Sequence, residues 1–257
     1  MLKSNLRRIL TIWHGTYLRA FRDRSLIVVS CFCAFLVLAL LLMNTASPDA
    51  LESAVAFGVF AAIAPGIIIS IFIGNFTVSS EIEDHTLAIL FSKPVSRGQF
   101  LMGKYAGILS MGLLYYGILA TIFAAVMLIK GQLGTVWLPF VCGLMIWGIF
   151  LAMLTSLSIM FSVLLPGIGG IIITFVLVSF TFIGMIHMRL LTVLVRGTPA
   201  QYLLLAAYYV IPNGLFFDFQ FHNASLTIAA MTVFYGFWYT AFFLVLAHFF
   251  FNRKELG

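Results

Sequence analysis

Hydrophobic residues follow one another along this chain in long blocks that short polar stretches interrupt. Six of these blocks are long enough to cross a bilayer, whose hydrocarbon core of about 30 Å requires roughly 20 apolar residues in a helix. They cover residues 25–43, 54–79, 105–129, 136–164, 169–187 and 228–251. The pattern therefore predicts an all-α, polytopic membrane protein with six transmembrane helices.

Residues 5–24 show a different pattern, in which apolar positions recur at helical spacing and arginines occupy the other face. The apolar positions are Leu6, Ile9, Leu10, Trp13, Tyr17, Ala20 and Phe21. We expect an amphipathic helix over residues 1–24 that lies on the membrane surface. A basic leader of about 24 residues is too long for a signal peptide, so we expect the first apolar block to be retained.

A seventh apolar stretch, residues 190–217, is interrupted by residues that break or bend helices. These are Arg196, Gly197, Pro199, Pro212, Asn213 and Gly214. Such backbone is tolerated at membrane depth only where it is buried in protein or lines a cavity. We therefore expect two half-helices that enter the outer face and turn back, within a re-entrant outer-face segment at residues 188–227.

The composition fits one transmembrane domain that covers residues 1–257. Hydrophobic residues make up 63% of the chain and charged residues only 9%. The mean hydropathy of +1.13 excludes an ordinary soluble domain.

Basic residues are unevenly distributed between the two sides of the predicted topology. Of the 14 Lys and Arg residues, only Lys130, Arg189 and Arg196 fall in loops opposite the amino terminus. By the positive-inside rule, both termini and the loop at residues 80–104 are cytoplasmic. The net charge of +6 therefore reflects the topology and does not indicate a nucleic-acid partner.

The predicted spans contain almost no ionisable side chains, and this limits the possible functions. Ion-coupled carriers usually require buried charges, and a membrane-embedded enzyme requires an acid, base or metal ligand. We expect neither class, and we predict no catalytic or metal-binding residue. Residues 98–104 match the phosphate-loop pattern G-x-x-x-x-G-K, but Tyr105 stands where that loop needs Ser or Thr to hold Mg²⁺.

The loop at residues 81–104 carries several charges between two apolar blocks. Glu81, Glu83 and Asp84 are expected in the first turn of a new amphipathic helix, where they face the positive end of its dipole. Pro94 ends this helix, and Ser96 is expected to cap a second short helix that leads into the third span. The alternative is an ordinary loop whose charges only fix the topology, although topology requires only Lys or Arg.

The same loop resembles the first cytoplasmic loop of type-2 ABC transporter permeases. Residues 81–97 read EIEDHTLAILFSKPVSR, and the family usually reads E-x-E-x-G-T-L-x-x-L-L-S-x-P-V-S-R, so that His85 replaces a Gly. The ending FNRKEL at residues 251–256 is similar to the family's F-x-R-R-E-L. The segment YYVIPN at residues 208–213, with Phe216, Phe217 and Asp218, resembles the outer-face motif of a subgroup that includes NosY-like and gliding-type permeases.

The resemblance implies that this loop is a coupling helix that docks on a separate ATP-binding subunit. The residues expected to act in coupling are Glu81, Glu83, Thr86, Leu87, Leu90, Pro94 and Arg97. ATP and Mg²⁺ would be bound by two copies of that subunit, and this chain itself would hold no cofactor. A second permease subunit, identical or homologous, would complete the pore.

The expected function is that of the permease subunit of an ATP-driven exporter in a bacterial cytoplasmic membrane. The candidates for lining the path are the polar residues Asn75, Thr77, Thr174, Ser179 and Thr181. The alternative for such residues is a hydrogen bond to their own helix or to a neighbouring helix. The alternative function is that of a mechanotransducing subunit, as in metal-cofactor maturation or gliding systems, which acts on a periplasmic protein through residues 190–223 without moving bulk cargo.

Overall fold

The computed structural model contains helices, and no strands, in the residues that it describes. These are residues 2–23, 25–43, 45, 47–83, 95–165, 167–184, 193–195, 197–202, 205, 212–217 and 225–254. The helices are α1 (Leu2–Phe21), α2 (Ser25–Leu42), α3 (Pro48–Glu83), α4 (Arg97–Ile129), α5 (Leu133–Leu164), α6 (Ile168–Ser179) and α7 (Leu226–Arg253). A π-helical turn, Phe180–Gly184, continues α6, and Gly214–Phe217 form a 3-10 turn.

Four helices are long and apolar enough to cross a membrane, namely α3, α4, α5 and α7. They coincide with the predicted second, third, fourth and sixth spans. A fifth crossing results if α1 and α2, which meet at a bend of 69°, are taken together as one broken span. The predicted first and fifth spans correspond to α2 and α6. Both stay predictions, because α2 counts as a crossing only together with α1, and the 12 residues of α6 extend only about 18 Å.

The ends of α3 and α4 differ from the prediction at the charged loop. Glu81 and Glu83 belong to the last turn of α3, so the expectation that they begin a new helix is wrong. Ser96 does act as a cap, since its hydroxyl accepts a hydrogen bond from the Gln99 amide and the Gln99 side chain accepts one from the Ser96 amide. The capped helix is the single helix α4, which runs without a break through Ile129.

Helix α5 lies at the centre of the bundle. It packs most extensively against α7 and α3, while α3 also packs along α4, and α1 packs along α4. Small residues permit the close approach of α3 to α5, since a Cβ atom added to Gly66 would lie 2.8 Å from Leu151 and one added to Gly74 would lie 3.0 Å from Ser158. The bundle core is therefore built around two closely packed long helices.

The outer-face segment enters the bundle where it is described. Phe217 is fully buried and its ring lies 5.2 Å from the ring of Phe150 on α5. The amide of Asn213 donates to the hydroxyl of Tyr235 on α7 at 2.8 Å. The two half-helices stay a prediction, because residues 203–204, 206–211 and 218–224 lie outside the described residues.

Candidate functional site at the charged end of the bundle

A cluster of charged residues lies where α1, the last turn of α3, the first turns of α4 and the last turns of α5 and α7 meet. We call this region the charged end. Of the predicted coupling residues, Glu81, Glu83 and Arg97 lie here. The others, Thr86, Leu87, Leu90 and Pro94, lie outside the described residues. The two helix ends that bracket residues 84–94 therefore define the described part of the site.

Glu81 joins three helices through one carboxylate oxygen. Lys104 Nζ on α4 donates to Glu81 Oε1 at 2.5 Å, and Arg19 Nη1 on α1 donates to the same atom at 3.2 Å. The Lys104 side chain is only 6% exposed, and its ammonium lies 5.3 Å from the centre of the Phe100 ring. This cluster links α1, α3 and α4 through a buried lysine, a partly buried carboxylate and a mostly exposed arginine.

Sequence reasoning did not predict Arg19 and Lys104 as site residues, since both served as topology signals and Lys104 also completed the partial phosphate-loop match. A signal was present in the position of Lys104, because it directly precedes an apolar block and an isolated lysine there needs a counter-ion. Its partner was not predictable, since Glu81 is 23 residues away and the rotation of the two helices about their axes was unknown.

Arg97 holds the end of α7. Its Nη1 donates to the carbonyl oxygens of Phe251, Asn252 and Lys254 at 2.6, 2.9 and 3.2 Å. The last four carbonyl groups of a helix have no partner within the helix and form the negative end of its dipole. The Arg97 guanidinium donates hydrogen bonds to these carbonyl groups and places a positive charge at the negative end of the dipole. It therefore joins the start of α4 to the end of α7.

Lys254 extends this linkage to α5. Its Nζ donates to the carbonyl oxygen of Val163 at 2.9 Å, near the end of α5. Burial lowers the pKa of Lys254, and the nearby carboxylate of Glu83 opposes this shift. The Glu83 carboxylate, in the last turn of α3, therefore interacts electrostatically with Lys254 at the end of α7.

The partial phosphate-loop match does not form a loop. Residues 98–104 lie in the first two turns of α4, so their backbone belongs to a helix. The lysine of the pattern, Lys104, is bonded to Glu81. Gly103 packs against α1, where an added Cβ atom would lie 2.7 Å from Ile12. Neither the backbone nor the lysine is arranged to hold a phosphate.

The predicted path residues lie in different surroundings. Asn75 and Thr174 are fully buried, and Asn75 Nδ2 donates to Thr174 Oγ1 at 3.3 Å and to the carbonyl oxygen of Ile71 at 2.7 Å. Thr181 is buried and bonds to its own helix, Ser179 is half-buried, and Thr77 is half-buried and bonds to the carbonyl oxygen of Ile73. Lining a path would require α3 and α6 to separate at Asn75 and Thr174.

Asn75 is also the centre of a polar seam between α3, α5 and α6. The backbone carbonyl oxygen of Asn75 accepts hydrogen bonds from Ser79 Oγ at 2.8 Å and from Ser162 Oγ on α5 at 2.5 Å. Ser70 and Thr155 bond to each other across α3 and α5 at 2.9 Å. Polar groups of this kind hold helices together inside a membrane, so the seam acts first as an internal contact between helices.

Comparison with known proteins points to one family. Residues 19–256 match a family model described as "ABC-2 family transporter protein". The match covers the charged end, all helices from α2 to α7, and the last residues of α1. No curated protein matches the chain.

Proposed function

The chain belongs to the ABC-2 family of transporter proteins, and we propose that it is the permease subunit through which ATP hydrolysis on a partner subunit drives export of a cargo. The family implies association with an ABC ATP-binding subunit. The observation that carries the proposal is the linkage of helix ends at the charged end. Residues 84–94 connect α3 to α4. There α3 is bonded to α1, α4 is bonded to α7, and α7 is bonded in turn to α5.

A force on residues 84–94 would reach the whole bundle through few bonds. A displacement of the end of α3 moves Glu81, which pulls on Lys104 and Arg19. A displacement of the start of α4 moves Arg97, which pulls on the end of α7. We therefore assign the predicted coupling residues Glu81, Glu83 and Arg97 to the transmission of motion, and Thr86, Leu87, Leu90 and Pro94 to contact with the ATP-binding subunit.

The partners follow from the same proposal. Two copies of the ATP-binding subunit would bind ATP and Mg²⁺, because the chain offers no phosphate loop among its described residues. Two permease chains, identical or homologous, would form the path between them. The charge distribution supports an orientation with both termini inside the cell, and the family resemblance favours a bacterial cytoplasmic membrane.

Variants in residues 84–94 test the coupling. Leu87→Asp and Leu90→Asp would place a carboxylate in an apolar contact, so we expect loss of co-purification with the ATP-binding subunit and loss of its cargo-stimulated ATP turnover. Thr198→Asp, at an exposed position on the opposite side of the predicted topology, is the control and is expected to change neither. Normal co-purification and turnover in both leucine variants would refute the coupling assignment.

One observation favours the mechanotransducing alternative. The outer-face residues Asn213 and Phe217 bond and pack to α5 and α7, whose other ends lie at the charged end. Movement of these helices would therefore be transmitted to a periplasmic protein bound to the outer-face segment. Reconstitution in liposomes separates the two functions, since cargo accumulation in the lumen indicates export, while ATP turnover stimulated only by an outer protein indicates transduction.

A further inference from the structure

A groove of about 590 Å³ lies between α3 on one side and the junction of α1 and α2 on the other. On α3 its lining repeats every turn along one face, through Ile68, Phe72, Phe76 and Ser80. The volume falls within the range of about 300–1,000 Å³ that is typical of small-ligand sites. Phe72 and Phe76 are 47% and 48% exposed, so the groove opens to the side of the bundle.

The groove is polar at one end and apolar along the rest of its length. Arg19, Asp23 and Ser80 line the polar end, next to the ion cluster of Glu81. Ions of this kind stay near the membrane boundary, because charge within the hydrocarbon is costly. From Ser80 to Ile68 the groove follows α3 for about 18 Å, which is close to the roughly 15 Å of hydrocarbon in one leaflet.

We propose that this groove binds a phospholipid of the ethanolamine class, with an acyl chain along α3 and the headgroup at Arg19 and Asp23. The length of the groove matches one leaflet, and its walls are apolar where an acyl chain would lie. The polar end offers both a cation and an anion. This site requires only that the chain spans a membrane, and it is independent of the proposed coupling and of the side on which α1 lies.

The headgroup assignment rests on charge complementarity. A guanidinium group binds phosphate through charge-assisted hydrogen bonds. Arg19 uses Nη1 toward Glu81, and its side chain is 63% exposed, so other N–H groups of its five donors can reach a phosphate. The Asp23 carboxylate suits the ammonium of ethanolamine. An anionic headgroup without an ammonium would gain only the first of these contacts.

The test uses the full chain in nanodiscs that contain ethanolamine and glycerol phospholipids. Traces of either lipid with a photoactivatable group in the acyl chain are added, and the labelled residues are located by mass spectrometry. We expect labelling of α3 around Phe72 and Phe76, with the ethanolamine lipid preferred. Val28→Trp, which fills the groove from α2, should reduce this labelling about tenfold.

Val245→Trp is the matched control, because Val28 and Val245 are 71% and 67% exposed and Val245 lies on α7, away from the groove. It should leave labelling of α3 unchanged. Asp23→Asn, at an exposed position, should make the two lipids label equally, while Arg22→Gln, at an exposed position that does not line the groove, should not. The Asp23 measurement does not depend on whether the Val28 variant folds.

Four results would overturn the proposal. The first is labelling of α3 no stronger than that of the exposed face of α7, which indicates annular lipid only. The second is equal labelling by the two lipids in the unaltered chain, which removes the ethanolamine headgroup. The third is α3 labelling that Val28→Trp leaves intact. The fourth is replacement of lipid labelling by cross-links between two copies of this chain at Phe72 and Phe76.

Discussion

Two cations share one carboxylate oxygen of Glu81, but they differ in how much they depend on it. Lys104 is almost fully buried, and a buried ammonium that lacks a counter-ion is costly because water no longer solvates it. Arg19 is mostly exposed, and exposed ion pairs contribute little to stability. The carboxylate of Glu81 is therefore expected to stabilise the fold mainly through Lys104.

Replacing Glu81 by Gln should lower the free energy of unfolding by about 3 kcal/mol, because it leaves the Lys104 charge buried without its counter-ion. Glu83→Gln is the matched control. Glu83 is exposed in the same turn of α3, so its loss should cost less than about 1 kcal/mol. Thermal unfolding of the purified protein measures both, and equal effects of the two variants would contradict the assignment.

The double variant Glu81→Gln with Lys104→Met checks the cause of this loss. It removes both buried charges, and replacing both partners of a buried pair is often nearly neutral. We expect it to be more stable than Glu81→Gln alone. A double variant that is less stable than the single variant would show that Lys104 does not depend on Glu81.

Asn75 shows why a polar residue in a span is hard to interpret from sequence. Its position in an apolar block suggested a path, and the structure uses its amide and carbonyl to bond α3 to α6 and α5. Whether such a residue lines a path or bonds neighbouring helices depends on what faces its side chain, and this is set by the rotation of α3 about its axis. Hydrophobicity that extends all around a helix carries no information about that rotation.

At the scale of elements, the contact of α1 with α4 depends on two glycines one turn apart. A Cβ atom added to Gly103 would lie 2.7 Å from Ile12, and one added to Gly107 would lie 2.7 Å from Thr16 and 3.1 Å from the carbonyl oxygen of Trp13. Two small residues separated by three others let helices approach closely. Trp13 Nε1 also donates to Ser110 Oγ at 3.0 Å, further along the same contact.

Gly107→Leu should push α1 away from α4, because the new side chain meets the α1 backbone as well as Thr16. We expect a loss of about 1–3 kcal/mol, as for other overpacked sites, and faster amide exchange throughout α1. Gly117→Leu on the same helix is the control, since no atom lies within 4 Å of its added Cβ. Hydrogen exchange measures both variants, and unchanged protection of α1 in Gly107→Leu would contradict this packing.

The existence of the long helices and the cap at Ser96 could be predicted, but the other helix ends and the contacts between helices could not. Apolar blocks identified α3, α4, α5 and α7 because a bilayer selects for length and hydrophobicity. Polar ends such as Glu83 and Arg97 extend helices beyond the hydrocarbon, where hydropathy carries no signal. The glycine pair of α4 was visible in the sequence, but the chain contains 21 glycines and nothing marked α1 as the partner of this pair.

At the scale of the whole molecule, a cluster of charges lies at one end of the bundle and bonds the helices to one another there. Glu81 connects α1, α3 and α4, Arg97 connects α4 and α7, and Lys254 connects α7 and α5. Residues 84–94 are attached to this end. A partner that moves this segment would need no separate contact with each helix, which is why we expect a single short contact to be sufficient for coupling.

The side of the membrane on which the charged end lies decides whether an ATP-binding partner can reach it. Ser96, the exposed cap of α4, lies at the charged end, and Thr198 is exposed in the predicted outer segment. Single cysteines at these positions are introduced after Cys31, Cys33 and Cys142 are replaced by Ala. In intact cells a membrane-impermeant maleimide should label Thr198→Cys and should label Ser96→Cys only after the membrane is opened. Labelling of Ser96→Cys in intact cells would place the charged end outside, beyond the reach of ATP, and would overturn the proposed function, because no ATP-binding subunit could then act on residues 84–94.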